Sequence, residues 1–244
     1  MRLRLLTLWY SLLALAVAGS VVYAVASLGA EYGRQRALRD FGAAAAAGRR
    51  EVDKVPYAEL INRSARLEGI DARLVAAVVR AESSFQPQAV SRAGANGLMQ
   101  VIPATWREVN GRLKACAGRH AGECQASCYF EPELNIRIGT AYLGELTRRY
   151  QGDTVRAIAA YNAGPAAVDR YDGIPPFPET EEYVLRVVGY WYDFSRLTPP
   201  AYGLAAENWE ETRLVAGWGT VTACAAGALV ATRLRRERRS WRWR

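Results

Sequence analysis

Histidine is nearly absent from this sequence, since His120 is the only one among 244 residues. A single histidine excludes a multi-histidine metal site and argues against a Ser-His-Asp triad. Cysteine and proline are also sparse, at 4 and 10 residues, so the composition is not that of a disulfide-dense, collagen-like or disordered chain. Half of the residues are hydrophobic, which at this length suits one folded domain with appendages.

Excess positive charge is missing from the middle of the chain. Lys and Arg number 32 against 24 Asp and Glu overall, but residues 31–213 contain 23 of each. A nucleic-acid-binding protein normally carries its basic patch on the folded domain, so we expect no nucleic-acid partner. The basic residues instead flank apolar stretches at both ends, which is typical of a membrane protein.

The first apolar stretch comprises residues 5–30, which contain no charge and follow Arg2 and Arg4. About 20 apolar residues are enough to span a bilayer as a helix. The alternative is a cleaved signal peptide, because Ala24 and Ala26 resemble a small-residue cleavage site. The apolar region of a signal peptide is usually only ~7–15 residues long, which favours an uncleaved N-terminal transmembrane anchor or signal-anchor over residues 1–30.

A second uncharged stretch, residues 214–232, precedes a basic tail at residues 233–244. Gly219, Ala223 and Gly227 recur every four residues, as on the small-residue face of a packed transmembrane helix. The sequence therefore predicts a second span with a cytoplasmic tail. The alternative is a buried or interfacial helix.

The basic residues also predict the topology. Positive residues stay on the cytoplasmic side, so both ends are expected inside the cell and residues 31–213 on the periplasmic side of the cytoplasmic (inner) membrane. We divide this middle region into a linker at 31–55, a domain at 56–198 and a second linker at 199–213.

Apolar periodicity predicts that the domain is mainly α-helical, since no stretch alternates with a period of two for long. Helices are expected over about 71–83, 134–150, 153–163 and 181–197. Val75, Val79 and Glu82 lie at i, i+4 and i+7 of the first of these, which Asp71 can cap. An acid at the end of an apolar stripe is unusual, because burying a carboxylate costs free energy unless it is paired or protonated. The alternative is an acid at the helix end turned toward solvent.

Four blocks in order resemble one known family. They are Ala81-Glu82-Ser83-Ser84-Phe85, the segment from Ser91 to Gln100 ending Gly-Leu-Met-Gln, Ala160-Tyr161-Asn162-Ala163-Gly164, and Pro178-Glu179-Thr180 followed by Tyr183-Val184. These blocks resemble the catalytic domain of the soluble-lytic-transglycosylase family, and Asn135 and Gly139 match the helix between them. The resemblance implies a lysozyme-like (goose-type) fold that cleaves peptidoglycan, here between two predicted transmembrane helices.

The resemblance implies a single catalytic glutamate, Glu82. Such an enzyme protonates the glycosidic oxygen, and the O6 hydroxyl of the N-acetylmuramic acid then attacks its own anomeric carbon to give a 1,6-anhydro sugar. Intramolecular attack has an effective concentration of roughly 10⁵ M or more when well oriented, so no second nucleophile is required. The same glutamate then takes the proton from O6, which exchanges its role of acid for that of base.

This chemistry needs a glutamate that is protonated near neutral pH, which an apolar environment favours. Met99 is expected to contribute to that environment, while Ser91 and Tyr161 are expected to hydrogen-bond the carboxyl group. Substrate-binding roles are expected for these three residues and for Gln100, Asn162, Glu179 and Tyr183. Met99 as a simple core residue, Asn162 as a helix cap and Glu179 as a solvated loop acid are the alternatives.

The chain departs from the family in a cysteine-containing insertion at residues 111–130. Cys116, His120, Cys124 and Cys128 recur every four residues there and are all zinc-ligand types. On one straight helix they would extend over about 18 Å, too far to share an ion. An exported domain favours one disulfide among the three cysteines, with a zinc site as the alternative. Apart from that alternative we expect no metal and no cofactor.

Three functions are consistent with these residues. The first is a membrane-anchored murein lytic transglycosylase. The second is a lysozyme-type muramidase, which would need a second acid in the cleft about 5–10 Å from Glu82. The third is a non-catalytic peptidoglycan-binding scaffold in a cell-envelope complex, against which Glu82 argues because binding alone does not need that acid.

Overall fold

A computed structural model describes residues 2–48, 50–117, 126–197 and 201–241. These residues are mainly helical, as predicted, and contain no strand beyond isolated bridges near Asn96. The helices are α1 (Arg2–Ala47), α2 (Ala58–Glu68), α3 (Ala72–Ser83), α4 (Pro103–Leu113), a 3₁₀ helix (Ala126–Phe130), α5 (Pro132–Arg149), α6 (Thr154–Ala163), α7 (Pro165–Tyr171), α8 (Pro178–Ser195) and α9 (Ala201–Trp241).

The chain forms two compact units. One unit contains residues 2–37 and 201–241, and the other contains residues 38–197. Leu3–Ala47, most of which lies in the first unit, and Glu211–Arg236 both include stretches long and apolar enough to cross a membrane, by length and composition. Many of their apolar side chains are exposed, which suits a lipid environment better than water.

The predicted small-residue face of the second apolar stretch differs in part from the structure. Ala223 is buried, and a side chain at Gly227 would contact Leu12 of α1. Gly219, however, faces open space. Gly19 of α1 instead makes the close approach, since a Cβ atom there would lie 2.4 Å from Oγ1 of Thr220.

The second unit is built around α3, whose residues from Ala72 to Val79 are all buried. Asp71 caps this helix, as predicted, by accepting a hydrogen bond from the backbone N–H of Arg73 at 3.0 Å. The same carboxylate pairs with the Arg73 guanidinium and accepts a hydrogen bond from Nε1 of Trp191 in α8. These contacts join the start of α3 to the end of α8.

The predicted linker at residues 31–55 differs from the structure from Leu38 onward. Phe41, Ala45 and Val52 are buried in the core of the second unit. The Phe41 ring packs edge-on against Trp191 with 5.2 Å between the ring centres. The domain therefore begins near Leu38, because side chains from this segment form part of its hydrophobic core.

The ends of the four predicted helices agree with those of α3, α5, α6 and α8 to within three residues. Residues 174–177 are irregular, and Pro178 occupies the first turn of α8, where a missing N–H costs nothing. Pro165 opens the additional helix α7 in the same way. The predicted linker at 199–213 is helical from Ala201, while residues 198–200 and 242–244 lie outside the described chain.

Candidate active site

Glu82 lies in the last turn of α3 and is half-buried. The helix ends at the next residue, Ser83, because Ser84 and Phe85 both adopt left-handed backbone conformations, with φ of 51° and 62°. Two consecutive non-glycine residues in this region are strained, and such strain persists only where surrounding contacts impose it. The Phe85 ring packs against Phe194 of α8, which holds the turn in place.

The carboxylate of Glu82 accepts a hydrogen bond from the Tyr183 hydroxyl, with 2.6 Å between the two oxygens. Burial raises the pKa of Glu82 from 4.5 to about 7, and the negative charge of Glu179 acts in the same direction. The hydrogen bond from Tyr183 and the positive charge of Arg186 partly oppose this rise. The site therefore holds a carboxylic acid that is about half protonated at neutral pH and can act as an acid or a base.

The loop between α3 and α4 lies beside Glu82. Side chains from three helices form hydrogen bonds with the backbone of its residues Leu98 and Met99. From α3, the Ser83 hydroxyl donates to the carbonyl oxygen of Leu98 at 2.8 Å. From α5, Oδ1 of Asn135 accepts from the Met99 N–H at 2.7 Å. From α6, the Tyr161 hydroxyl donates to the Met99 carbonyl oxygen at 2.9 Å. The loop is thus fixed relative to Glu82 without a β-sheet.

Asn135 and Gly97 fit together at the centre of this loop. Asn135 is fully buried, and its Nδ2 donates to the carbonyl oxygens of Asn96 and Tyr129 at 2.9 and 2.8 Å. Gly97 has a φ of 77°, and a Cβ atom there would lie 2.3 Å from Nδ2 of Asn135. Only glycine satisfies both the backbone conformation and the close approach.

The predicted hydrogen bonds from Ser91 and Tyr161 to Glu82 are not formed, and Tyr183 donates one instead. The Ser91 hydroxyl accepts from the Ala95 N–H at 3.0 Å, and the Tyr161 hydroxyl donates to Met99. Tyr183 provides the only recorded hydrogen bond to the Glu82 carboxylate among the described residues. Burial raises the pKa of both Tyr161 and Tyr183 well above the ordinary value, so both phenols remain protonated donors.

The remaining predicted residues occupy the loop and the facing helices. Met99 is fully buried against Gly139 and its side chain belongs to the hydrophobic core, which agrees with the alternative of a simple core residue and not with substrate contact. Gln100 uses its Nε2 on the loop carbonyls of Ala89 and Gly97. Oδ1 of Asn162 accepts from the buried Thr180 hydroxyl at 2.8 Å, while Glu179 is exposed in the first turn of α8.

The sequence analysis predicts no site role for Arg186. It also does not predict that the Asn135 amide links α5 to the loop. Arg186 follows Tyr183 by three residues, and this helical spacing was the available signal. The sequence indicates only that Asn135 matches a helix of the family, since nothing local shows which loop its amide reaches.

The disulfide among the three cysteines of the insertion, and its alternative of a zinc site, remain predictions. Cys116 and Cys128 are buried, while His120 and Cys124 lie outside the described residues. Among the residues that the structure describes, no group of three His, Cys, Asp or Glu side chains is placed to hold a metal ion.

Comparison with known proteins identifies the family of this chain. The Transglycosylase SLT domain family matches residues 59–184, which is more than half of the chain, and the protein belongs to this family. The expected lysozyme-like fold class is thereby confirmed.

Three relatives illustrate the similarity. The soluble lytic murein transglycosylase of Salmonella typhimurium is 34% identical over 147 residues, which cover 55% of this chain and 22% of that protein. Membrane-bound lytic murein transglycosylase C of Yersinia pestis is 39% identical over 121 residues, covering 47% and 33%. An inactive glutamate-to-glutamine mutant of lytic transglycosylase Slt from Pseudomonas aeruginosa superposes with a TM-score of 0.50 at 30% identity, over 59% of this chain and 25% of that one. The matched region is thus a third or less of the length of these relatives.

Proposed function

We propose that this protein is a membrane-anchored lytic transglycosylase that cleaves the β-1,4 bond between N-acetylmuramic acid and N-acetylglucosamine in peptidoglycan. The observation that carries the proposal is the position of Glu82, whose carboxyl group has a pKa of about 7 beside a rigid loop. Family membership and the names of the relatives support the same activity.

Glu82 acts first as a general acid. It donates its proton to the glycosidic oxygen, so that the leaving sugar departs as a neutral alcohol. The Tyr183 hydroxyl donates to the same carboxyl group and fixes its orientation. Burial makes the resulting carboxylate a stronger base than an exposed one, because the charged form is poorly solvated.

The Glu82 carboxylate then acts as a base. It takes the proton from the O6 hydroxyl of the muramic acid while that oxygen bonds to the anomeric carbon. The products are a 1,6-anhydromuramic acid end and a free N-acetylglucosamine end, and Glu82 regains its proton. One carboxyl group therefore completes the cycle, and no water is consumed.

The competing function is hydrolysis, for which Glu179 is the available second acid. Its charge influences Glu82, but the side chain is exposed and lies in the first turn of α8. Within the described residues no hydrogen bond or ion pair fixes this carboxylate, so it is not preorganised to orient a water molecule for attack.

We further propose that the two apolar helices anchor the protein in the cytoplasmic membrane with residues 38–197 on the periplasmic side. The basic residues beside both helices support this orientation. Peptidoglycan lies on that side of the membrane, so the orientation gives the enzyme access to its substrate.

The test uses the full-length protein in a non-ionic detergent with purified murein. Mass spectrometry should detect anhydro-muropeptides, and Glu82→Gln should lower their rate of formation at least about a hundredfold. Glu59→Gln, which removes an exposed acid from α2, is the matched control and should retain activity. Products heavier by one water molecule would show hydrolysis instead, and unaltered cleavage by Glu82→Gln would refute the role of Glu82.

A further inference from the structure

Helix α8 presents three functional groups on one face beside Glu82. Glu179, Tyr183 and Arg186 occupy positions i, i+4 and i+7, so they follow one another along about 10 Å of the helix. Tyr183, in the middle, is the residue bonded to Glu82. The carboxylate of Glu179 and the guanidinium of Arg186 therefore lie on opposite sides of Tyr183 along the same helix.

Arg186 is held beside the site but is not neutralised there. Its guanidinium carbon lies 6.0 Å from the centre of the Tyr183 ring, and its side chain is exposed. Within the described part of the chain, no carboxylate lies within ion-pair distance of this guanidinium, including that of Glu182 one turn earlier. Its positive charge nevertheless reaches the Glu82 carboxylate.

We propose that Arg186 is a specificity-determining residue that binds a carboxylate of the murein strand beside the scissile bond. The inference rests on the proposed function, because it assigns a substrate contact beside the same glutamate. Murein carries carboxylates only on the muramic acid, either on the lactyl group or on the attached peptide. A guanidinium binds a carboxylate through two parallel N–H···O bonds, which defines position as well as charge.

The charge asymmetry along α8 also implies a direction for the strand. The Arg186 side attracts the sugar that carries the carboxylate, while Glu179 repels it. The neutral N-acetylglucosamine is then expected toward Glu179. Placing the two sugars in the wrong order would bring a carboxylate against Glu179, so the helix discriminates against the reversed strand.

Binding should be measured in full-length protein that carries Glu82→Gln, so that neither cleavage nor titration of Glu82 affects the result. The ligands are peptide-free murein strands, peptide-bearing strands and a neutral oligomer of N-acetylglucosamine. Adding Arg186→Gln should weaken binding of one or both anionic ligands about five- to tenfold and leave the neutral oligomer unchanged. The difference should shrink as salt is added, because salt screens exposed charges.

The two anionic ligands distinguish the source of the carboxylate. Loss confined to peptide-free strands assigns the lactyl group, and loss confined to peptide-bearing strands assigns the peptide. Arg186→Lys should restore part of the affinity, whereas Arg63→Gln, the same charge change on α2, should have no effect.

Two outcomes would overturn the inference. One is an equal loss of affinity for the neutral oligomer, which would indicate a structural role, and the other is unchanged binding of all three ligands. Failure of the proposed function has a different signature, because the unsubstituted protein would then not cleave murein. If the Glu82→Gln protein binds none of the glycans, both proposals are contradicted.

Discussion

Replacing Glu82 by glutamine should stabilise the folded protein above neutral pH while abolishing its activity. Glutamine has nearly the same shape and can still accept the hydrogen bond from Tyr183 through its amide oxygen. It cannot ionise, so it removes the cost of holding a charged carboxylate in this site. A residue that is needed for chemistry is thus expected to be unfavourable for stability.

The pKa of Glu82 gives the magnitude and the sign. It is about 7 in the folded protein against 4.5 as the ordinary value, a difference that corresponds to about 3 kcal/mol at 1.36 kcal/mol per pKa unit. Because the folded pKa is raised, folding favours the protonated form. The unsubstituted protein is therefore expected to lose stability as the pH rises from about 4.5 to about 7, whereas the Glu82→Gln protein does not lose this contribution.

The assay is thermal unfolding followed by near-ultraviolet circular dichroism at pH 4.5 and pH 8, with the full-length protein in detergent. At pH 4.5 position 82 is uncharged in the folded form of both proteins, which should melt at similar temperatures. At pH 8 the Glu82→Gln protein should melt about 6 to 12 °C higher. The same difference at both pH values, or a lower melting temperature for the variant at pH 8, would refute the reasoning.

Three further predictions concern the surroundings of the site. Tyr183→Phe removes a hydrogen bond that lowers the pKa of Glu82, so the decline of kcat/KM at alkaline pH should move to higher pH; an unchanged pH profile would contradict this. Asn135→Ala removes the partner of the Met99 N–H and of the Tyr129 carbonyl, while the Asn96 carbonyl keeps the Val101 N–H, and should cost about 3 kcal/mol in chemical denaturation, with reduced activity. Phe41→Ala creates a cavity against Trp191 and should cost about 3 to 5 kcal/mol in the same measurement, whereas a free linker would give no change.

Periodicity and capping predicted the helices, because these signals act within a few residues of one another. The stripe of Val75 and Val79, the Asp71 cap and the proline-rich segment before α8 all have local physical causes. The stripe also singled out Glu82 as an acid at its end, while the catalytic role of Glu82 came from the family resemblance and stays a prediction.

Contacts between distant segments were not accessible in this way. The partner of Glu82 is 101 residues away, and the choice of Tyr183 over Tyr161 depends on where two helices place two similar hydroxyl groups. The alanine-rich segment before residue 48 has few large side chains, so nothing in its pattern shows that Phe41 packs on Trp191. Both cases depend on tertiary packing rather than on sequence spacing.

The convergence of α3, α5 and α6 on Leu98 and Met99 has a consequence for the energetics of turnover. A loop held from three directions is preorganised, so in the proposed function the binding of a sugar strand would not have to supply the free energy of ordering it. That binding energy is then available for distorting the sugar ring at the scissile bond. The cost is adaptability, since this loop cannot reshape itself around a glycan with altered substituents without breaking several buried hydrogen bonds at once.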